Sequence, residues 1–542
     1  MLDTTQVLVI GAGPVGLTLA IDLGRRGFKV VLIERNEQPL HRPKMERCNA
    51  RSMEIFRRMG LAQRIRAASR FHDIPMDIYL ITQWAHPPLL HLQYPSITEY
   101  RRRIAACRDG SLPLEPYQII SQYTLEPLLK SIAEQVPGVT VHSGCELVDF
   151  SQDADGVTAQ AVDRHGQAQR FRADYMVGCD GGVSTVRKGL GIPLEGQGRL
   201  ARQNQIFFRS RELFDAIPVG KGRHYYFLPD TTLVVQDDMQ HFMVNTTTDI
   251  GDDAEQFLRQ RIKLPVDIEV LNVSGWNMNL LVAERYGEGR IFMAGDAVHL
   301  VIPNGGLGMN TGIGDATDLS WKLAATLSGW GGPGLLASYE QERRPIGMFN
   351  RDCSGRATAG VQSWMKACGP HITEDSPQGE ANRAEVAKLA AVGQPITHEM
   401  NGVELGYRYM GSPLIFDEPG DTERQFIAYR PSTSPGSRLP HMWLSDGSPI
   451  QDRIGDGYTL LCLGAQATDM HDAEPLGRAM ASIGAPFSVL ALDEPALRAV
   501  YEYDYILLRP DMHIAWRGDS LSVDADTMAA RITGHPGNGG GG

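Results

Sequence analysis

Apolar runs and polar breaks divide the first 35 residues into a strand, a helix and a second strand. The run Val7–Ile10 is apolar at every position, which is typical of a strand buried on both faces. Apolar residues then recur at helical spacing from Leu17 to Leu23, and "KVVLIE" is a second apolar run that ends in Glu34. The pattern predicts a strand–helix–strand unit at the N-terminus.

Two later segments repeat the change from a strand to a turn and a helix. Phe171–Gly178 reads as a strand, followed by a tight turn at Asp180 and a short helix that starts near Ser184. Ile291–Ala294 reads as another strand, and a glycine-rich stretch separates it from helical periodicity that resumes at Asn310. Because ligands of open α/β sheets lie at the carboxyl ends of the strands, these turns are expected to face the same crevice.

The region from about 195 to 280 alternates apolar and polar positions in several short runs, among them "QIFFRS", "HYYFLP" and "HFMVNT". This period is typical of an antiparallel sheet with one buried face. Alternation turns one of Tyr225 and Tyr226 inward but does not decide which. The stretch Trp84–Pro95 is predicted to be either a lid or a surface loop.

The last third of the chain changes character twice. A long helix is predicted over Leu335–Met365, and the polar segment Gly369–Arg383 after it is rich in turn formers and predicts a linker. From about 400 onwards, strand-like runs such as Gly457–Gly464 alternate with helical segments in an α/β pattern. The final "HPGNGGGG" predicts a flexible tail.

Composition excludes several classes of function. The chain has 542 residues, 42% of them hydrophobic, and a net charge of −12, which opposes binding to nucleic acid. It lacks the roughly 18 uninterrupted apolar residues of a membrane helix, and the N-terminus enters a strand too early for a signal peptide. The seven cysteines include no C-x-x-C pair, which supports neither a metal site nor disulfides. A cytoplasmic protein is expected.

The turn after the first strand carries a nucleotide-binding pattern. Gly11, Gly13 and Gly16 fit G-x-G-x-x-G, where the glycines allow a tight turn, close approach of a pyrophosphate and close packing of helix on strand. Pro14 opens the helix, whose N-terminus attracts anions. Glu34 stands where an acid binds ribose hydroxyls, with Arg35 next to it. FAD and NAD both fit this pattern, and glycines that serve only as turns are the alternative.

Three motifs in this order, "GAGPVGL", "GCDGGVSTVRK" and "GDAVH…P.GG.G.N", resemble those of the class A FAD-dependent aromatic hydroxylases of the p-hydroxybenzoate hydroxylase type. The resemblance implies an α/β fold made of a Rossmann-like FAD-binding domain, an inserted antiparallel-sheet substrate domain and a thioredoxin-like C-terminal domain. The expected domains are 1–190 (FAD, with a substrate-side segment at about 75–110), 191–280 (substrate), 281–395 (FAD, second part) and 396–542 (thioredoxin-like).

The resemblance also implies which residues hold FAD. Asp296 would bind the ribityl chain, Gln122 would lie beside the ribityl chain and pyrophosphate, and Arg47 would be a further contact. Asp180 and Arg187 would stabilise the pyrophosphate region, although Asp180 could be a turn residue and Gln122 a helix cap. The residues expected to line the isoalloxazine are Pro303, Gly306, Leu307, Gly308, Met309 and Asn310.

Activation of a phenol needs a base or hydrogen-bond acceptor near the aromatic ring. By resemblance to phenol hydroxylases, Glu46 is a candidate, and an ordinary surface glutamate paired with Arg47 or Lys44 is the alternative. Arg223 and Tyr225 are candidates on the substrate sheet, where plain core packing is the alternative.

The implied reaction hydroxylates a phenolic or larger aromatic small molecule with NADH or NADPH and O₂, through a flavin C4a-hydroperoxide. Baeyer–Villiger insertion or epoxidation of a polyketide by the same flavin is a second reading. A flavin-binding or ligand-binding protein without turnover is a third. FAD is the expected bound cofactor, the nicotinamide is expected to bind only transiently, and a homodimer is an open possibility.

Overall fold

The computed structural model describes residues 2–39, 44–419, 424–463 and 470–536. Most of the predicted tail, from residue 537, lies outside these residues, as does Gly464 at the end of the predicted strand Gly457–Gly464. Along the described chain, no helix combines the length and the apolar character needed to cross a membrane.

The predicted N-terminal unit forms the centre of a mainly parallel sheet. Leu2–Ile10 pairs in parallel with Val30–Glu34 on one side and with Ala168–Gly178 on the other. Val7, Leu8 and Val9 are fully buried, because helices or strands cover both faces. The strands run in the spatial order Gly287–Glu288, Ile291–Met293, Ala168–Gly178, Leu2–Ile10, Val30–Glu34 and Val139–Ser143, with Cys145–Gln152 and Val157–Asp163 pairing antiparallel alongside.

Beside this sheet, helix Pro14–Arg25 packs against two other helices, Gln122–Ala133 and Gly308–Leu327. Helix Pro14–Arg25 begins directly after the strand Leu2–Ile10, and helix Gly308–Leu327 begins after the glycine-rich turn that follows Ile291–Met293 and the short strand His299–Leu300. Both turns therefore open on the same edge of the sheet, as the strand ends predicted.

A second, mainly antiparallel sheet stands over that edge. Its strands follow the spatial order Glu269–Asn277, Arg202–Arg209, His241–Thr246, Thr231–Val235, His224–Phe227, Ile78–Ile81 and Leu90–Leu92. Helix Ala254–Ile262 covers one face, where Phe257, Leu258 and Ile262 pack on apolar strand residues. The prediction of an antiparallel sheet from residues 195 to 280 is confirmed, and two earlier strands extend it.

The stretch Trp84–Pro95 corrects the prediction of a lid or surface loop. Leu90–Leu92 is the edge strand of the antiparallel sheet, and it pairs with Ile78–Ile81. Trp84 is buried, and its indole N–H donates a 2.6 Å hydrogen bond to the carbonyl oxygen of Ile262. The segment is thus part of the sheet's framework.

In the second half of the chain, one predicted helix is confirmed and a second helix lies where a linker was predicted. The long helix spans Pro333–Met365, close to its predicted range. The predicted linker is wrong in its second part, because a helix spans Pro377–Gly393. Ser376 caps this helix and Pro377 occupies its first position, a start signal that the abundance of turn formers masked.

The C-terminal residues form the α/β unit that the fold class predicted. Its sheet has the spatial order Phe487–Ala491, Tyr458–Cys462, Tyr505–Leu508 and Ile514–Gly518, with the first pair parallel and the others antiparallel. Helices Glu474–Ile483 and Ala525–Thr533 pack on one face, and Pro495–Tyr501 lies on the other. Cys462 is buried in the central strand.

Short elements connect these layers. The remaining helices are Ala50–Arg58, Ala62–Ala68, Ile97–Ala106, Thr185–Gly189, Leu213–Ala216 and Asn401–Leu405, with 3₁₀ turns at Gly295–Ala297, Pro395–Thr397, Ile450–Arg453 and Met470–Ala473. Leu194–Gln197, Leu280–Ala283 and His299–Leu300 form a small sheet, and Arg47–Cys48 pairs with Gln118–Ile119.

Candidate active site

A cavity of about 1370 Å³ lies between the parallel and antiparallel sheets. At one end it is lined by the turn after Ile10, and at the other by the open face of the antiparallel sheet. The glycine-rich turn after the strand Ile291–Met293 lies between these ends. Most of the predicted site residues therefore face one continuous space.

The N-terminal glycines differ in what a side chain would meet. Gly11 has φ +102°, and a Cβ there would lie 2.5 Å from the Cys179 carbonyl oxygen. A Cβ on Gly16 would lie 2.0 Å from the Gly11 carbonyl oxygen, so Gly16 permits close packing of the helix. Gly13 lines the cavity, and its nearest neighbour would be 3.9 Å away. Pro14 lines the cavity beside it and begins the helix, which has no side-chain cap.

Glu34 is held at the cavity rim by the loop around it. One carboxylate oxygen accepts a 2.9 Å hydrogen bond from the Ala12 backbone N–H, and the other accepts from the Asn36 backbone and side chain. Arg35 lines the same end of the cavity. The carboxylate is thus oriented before any ligand binds.

The turn after Gly178 joins two loops. One oxygen of Asp180 accepts hydrogen bonds from the backbone N–H groups of Thr185 and Val186, while its other oxygen is buried without a partner among the described residues. Arg187 does not line the cavity. Its guanidinium donates to the carbonyl oxygens of Ala297 and Gly182, and so ties this turn to the turn that carries Asp296.

Asp296 lies at the end of the strand Ile291–Met293 and faces the cavity. Its carboxylate has no hydrogen-bond partner within the described part of the chain, and its side chain is open to the cavity. Although the side chain is open to the cavity, the surrounding protein desolvates this carboxyl and raises its pKa, and His299 and Lys44 offset part of that rise. Such an acceptor is suited to hydroxyl donors of a ligand.

The turn before the Gly308–Leu327 helix depends on glycine. Gly305 has φ +94° and Gly306 has φ +63°, and a Cβ on Gly305 would lie 2.5 Å from the Met400 sulfur. No side chain caps the helix, and a Cβ on Gly308 would lie 4.0 Å from an Asp296 oxygen. The helix N-terminus and the Asp296 carboxylate are therefore neighbours.

The residues around this turn divide between the cavity and the core. Pro303, Gly306, Gly308 and Met309 line the cavity. The prediction is wrong for the Leu307 side chain, which is buried in an apolar cluster with Cys353, Ala357, Met400 and Val403. The turn points its backbone at the cavity and anchors Leu307 beneath it.

Asn310 lies at the cavity but uses its side chain within the protein. Its oxygen accepts hydrogen bonds from the Asn49 backbone N–H and the Ser52 hydroxyl, and its amide nitrogen donates to the carbonyl oxygens of Arg47 and Gly306. All four of its hydrogen-bonding positions are occupied. Asn310 therefore fixes the glycine turn to the segment after Arg47.

Gln122 and Arg47 line the cavity from the opposite side. Gln122 accepts a hydrogen bond from the Lys44 backbone N–H and donates to Glu126. Arg47 donates a 3.1 Å hydrogen bond to the Gly305 carbonyl oxygen and pairs with the buried Glu404. The contacts of Arg47 link the segment before helix Ala50–Arg58 to the glycine turn.

Glu46 and Arg223 form an ion pair in the cavity wall. Arg223 is buried, with 2% of its surface exposed, and its second terminal nitrogen has no partner in the described structure. Glu46 thus pairs with Arg223, and neither of the partners expected for a surface glutamate, Arg47 and Lys44, takes that place. The pair places an ion-paired carboxylate at the substrate end, and the unpartnered nitrogen of Arg223 is buried behind the cavity surface.

The prediction for Tyr225 is wrong. Tyr225 is fully buried on the helix-covered face of the antiparallel sheet, where its hydroxyl donates to the Gly220 carbonyl oxygen and accepts from the Gly222 N–H. Tyr226 takes the inward position and lines the cavity. The alternation of side chains along the strand His224–Phe227 puts the two rings on opposite faces.

Two cavity histidines escaped the sequence analysis. His224 and His398 both line the cavity, with ring centroids 5.3 Å apart. Burial and nearby arginines lower both pKa values, that of His398 to about 3, so both rings are neutral at pH 7. Alternation with Tyr226 could have singled out His224, whereas nothing in "PITHEM" distinguishes His398.

The residues at this site suit FAD. Gly13 leaves the room that a pyrophosphate needs, and two helix N-termini offer backbone N–H groups to its anionic and electron-rich parts. Glu34 and Asp296 offer acceptors for hydroxyl groups at separate positions of the cavity. The unpartnered oxygen of Asp180 is a further buried acceptor at the same edge.

Comparison with known proteins agrees with this chemistry. Residues 4–352 match the model of the FAD binding domain family, and residues 432–536 match that of the aromatic-ring hydroxylase C-terminal family. The FAD-dependent monooxygenase apdD of Emericella nidulans is 32% identical over 98% of this chain and 91% of its own. Aklavinone 12-hydroxylase DnrF of Streptomyces peucetius is 31% identical over 84% of this chain and 91% of its own.

A solved structure of the rebeccamycin biosynthetic enzyme RebC, soaked with chromopyrrolic acid and holding 7-carboxy-K252c, superimposes with a TM-score of 0.89. It is 32% identical, and the match covers 99% of this chain and 100% of RebC. The chain therefore belongs to the FAD-dependent aromatic-ring hydroxylases. It is a flavoprotein monooxygenase that acts on aromatic small molecules.

Proposed function

We propose that the protein hydroxylates an extended, multi-ring phenol and consumes NAD(P)H and O₂ in doing so. The cavity carries this proposal. Its volume of about 1370 Å³ exceeds the roughly 300–1,000 Å³ of an ordinary ligand site, so it has room for a dinucleotide and a large second ligand together. The relative DnrF is named an aklavinone 12-hydroxylase, and the similar RebC structure holds 7-carboxy-K252c. Both molecules support a large substrate.

In this proposal the N-terminal turn and the Asp296 end hold opposite parts of FAD. Gly13 and the helix that begins at Pro14 receive the pyrophosphate, and Glu34 accepts from the ribose hydroxyls. Asp296 accepts from the ribityl hydroxyls. The helix N-terminus at Gly308 directs backbone N–H groups at the electron-rich edge of the flavin ring. When bound, the cofactor supplies the electrons and the activation of O₂.

The substrate occupies the space under the antiparallel sheet. Glu46, held by Arg223, accepts the hydrogen bond of the phenol, which raises electron density in the aromatic ring. The charge of the Arg223 guanidinium, which pairs with Glu46 in the cavity wall, favours the developing phenolate, because a buried cation attracts an anion strongly where water is excluded. Arg47 adds positive charge between this position and the glycine turn.

The nicotinamide binds only transiently in this scheme. The sequence contains further G-x-G-x-x-G matches at 329–334 and 537–542, but neither follows a strand-like run and the first lies between two helices. A separate dinucleotide domain for NAD(P)H is therefore not expected. Whether the reductant is NADH or NADPH is decided by measuring both.

The test is a screen of the FAD-loaded protein with phenols graded from one to four rings. NAD(P)H oxidation should be accelerated by multi-ring phenols more than by phenol itself, and mass spectrometry should find a product heavier by one oxygen. Matched multi-ring compounds without a hydroxyl are the control, and they should give no product. Acceleration by single-ring phenols alone would contradict the proposed substrate size, and no product from any phenol would contradict the function.

A further inference from the structure

His398 follows the 3₁₀ turn Pro395–Thr397 in the wall of the cavity, and Gln394 and Trp364 lie behind it. Its Nε2 atom lies 3.0 Å from Nε2 of Gln394. Its Nδ1 atom has no hydrogen-bond partner among the described residues, and it is not sealed off from the cavity. The ring therefore has one nitrogen fixed by the protein and one available to a ligand.

Trp364 determines which way the Gln394 amide points. The indole N–H of Trp364 can only donate, and it lies 3.1 Å from Oε1 of Gln394. The amide oxygen must therefore face Trp364, and the amide N–H₂ must face His398. Gln394 and Trp364 are each only 1% exposed, so water does not compete for these positions.

This arrangement determines the tautomer of His398. Because Gln394 donates to Nε2, that nitrogen carries the lone pair and accepts. Burial lowers the pKa of His398 to about 3, and Arg47 and Arg223 contribute to that fall, so the ring is neutral and holds a single proton. The proton must then be on Nδ1, the nitrogen that is free to meet a ligand.

Tyr226 brings a second neutral donor to the same place. Its hydroxyl lies beside the Gln394 amide, and burial raises its pKa to about 12, so it stays protonated. Its ring packs edge-on against Trp364 at 5.8 Å, which fixes the direction of the side chain. Two neutral donors next to each other suit an uncharged oxygen acceptor better than a carboxylate, which favours charged partners.

We propose that His398, held as the Nδ1–H tautomer by Gln394 and Trp364, donates a hydrogen bond to a ring carbonyl or hydroxyl oxygen of the aromatic substrate. Tyr226 donates to the same oxygen. Gln394 is a positioning residue in this arrangement, because it acts through His398. The inference rests on the proposed function and adds a recognition point for a second substrate oxygen, separate from the Glu46–Arg223 end.

Three variants of His398 test the donor. His398→Leu should raise the dissociation constant of an oxygen-bearing multi-ring substrate by about tenfold, measured by perturbation of the flavin absorbance without turnover. His398→Asn should restore most of the affinity, because its amide N–H₂ lies where Nδ1 lies in histidine. His398→Gln places its amide near Nε2 and should not restore it. His371→Leu, at an exposed histidine, is the control and should change nothing.

Gln394→Glu tests the tautomer. Glutamate can still accept from Trp364, but it presents a carboxylate to Nε2 of His398 and draws the proton there. Substrate affinity should then fall at high pH, where Nδ1 becomes a lone pair, and recover as the pH falls and the imidazole gains its second proton. The wild-type affinity should not change with pH through this group between about pH 6 and 9, because the His398 pKa is far lower.

The experiments distinguish a failure of the proposed function from a failure of the inference about His398. If no aromatic compound binds the wild-type FAD-loaded protein, the proposed function and this inference both fall. If aromatic compounds bind and are hydroxylated, but His398→Leu binds them as the wild type does, the inference alone is overturned. Equal affinities of the Asn and Gln variants, or a pH-independent Gln394→Glu variant, would also overturn it. FAD content of each variant reports folding independently.

Discussion

Single side chains at the cavity differ in whether their hydrogen bonds are already used. Asn310 has all four positions occupied by protein groups, whereas the Asp296 carboxylate has no partner among the described residues. Changes at Asn310 should therefore disturb the fold of the glycine turn. Changes at Asp296 should affect the ligand and leave the fold intact.

Asp296→Ala should bind FAD at least about tenfold more weakly, because it removes an acceptor that faces the cavity and has no partner within the described chain. Its melting temperature without FAD should equal that of the wild type. FAD affinity is measured by titrating the apoprotein and following flavin fluorescence. Asp252→Ala, at an exposed aspartate, serves as the control. Unchanged FAD affinity in Asp296→Ala would remove this residue from the cofactor site.

Glu46→Gln should keep FAD and lose hydroxylation. The amide keeps the shape of the side chain but cannot take a proton from the phenol, so product formation should fall at least about tenfold. NAD(P)H oxidation should continue, with peroxide as its product, and the ratio of hydroxylated product to NAD(P)H measures the change. Glu399→Gln alters another cavity carboxylate and should leave that ratio unchanged. An unaltered ratio in Glu46→Gln would exclude its proposed role.

Site residues that belong to a motif could be predicted from the sequence, whereas those placed by strand register or by distant contacts could not. Gly11, Gly13 and Asp296 stand at fixed distances from strand ends, and backbone geometry leaves few residue types that fit there, so the motifs located them. Placing Tyr226 at the cavity requires knowing which residues of its strand face that side, and alternation alone does not choose between Tyr226 and its neighbour. His398 depends on a donor chain through Trp364 and Gln394, which no local pattern records.

At the scale of elements, the two glycines of the turn between Ile10 and Pro14 serve different purposes: Gly11 is needed for folding and Gly13 for binding FAD. Gly11→Ala would place a Cβ 2.5 Å from a backbone carbonyl oxygen at φ +102°, and should cost about 2 kcal/mol or more of stability. Gly13→Ala meets nothing nearer than 3.9 Å, so it should fold normally and bind FAD more weakly. Thermal melting and FAD titration of both variants check this contrast. Equal losses of stability in the two would contradict it.

Elements with strong periodicity were predicted well, and those defined by partners were not. The first strand was recognised from the run Val7–Ile10, which is apolar at every position, and the long helix Pro333–Met365 was predicted close to its range. Leu90–Leu92 is a strand because Ile78–Ile81 offers it an edge, and helix Pro377–Gly393 buries only a few residues against the long helix. Tertiary pairing supplies what these two segments lack in local pattern.

For the molecule as a whole, a buried charge cluster joins the C-terminal unit to the helices behind the cavity. Arg509, just after the strand Tyr505–Leu508, contacts Asp318 and Glu342 on the helices Gly308–Leu327 and Pro333–Met365. Lys322 and Asp511 complete the cluster, and all five side chains are almost fully buried. Contacts between residues nearly 200 positions apart leave no periodic signal, so sequence patterns did not predict how the C-terminal unit is attached.

Arg509→Met should destabilise the protein by about 3–5 kcal/mol, because it leaves buried carboxylates without their partner. Differential scanning calorimetry at pH 7 should show a melting temperature lower by at least about 5 °C, whereas Arg453→Met, at an exposed pair with Asp446, should change it little. Burial alone would raise the pKa of the Glu342 carboxyl, but Arg509 and Lys322 lower it to about 2. The stability from this ion pair is therefore present above the ordinary glutamate pKa of about 4.5 and is lost as the pH falls towards 2.

The difference in unfolding free energy between the wild type and Arg509→Met should therefore shrink as the pH falls over that range. A difference that stays constant down to pH 3 would contradict an electrostatic origin.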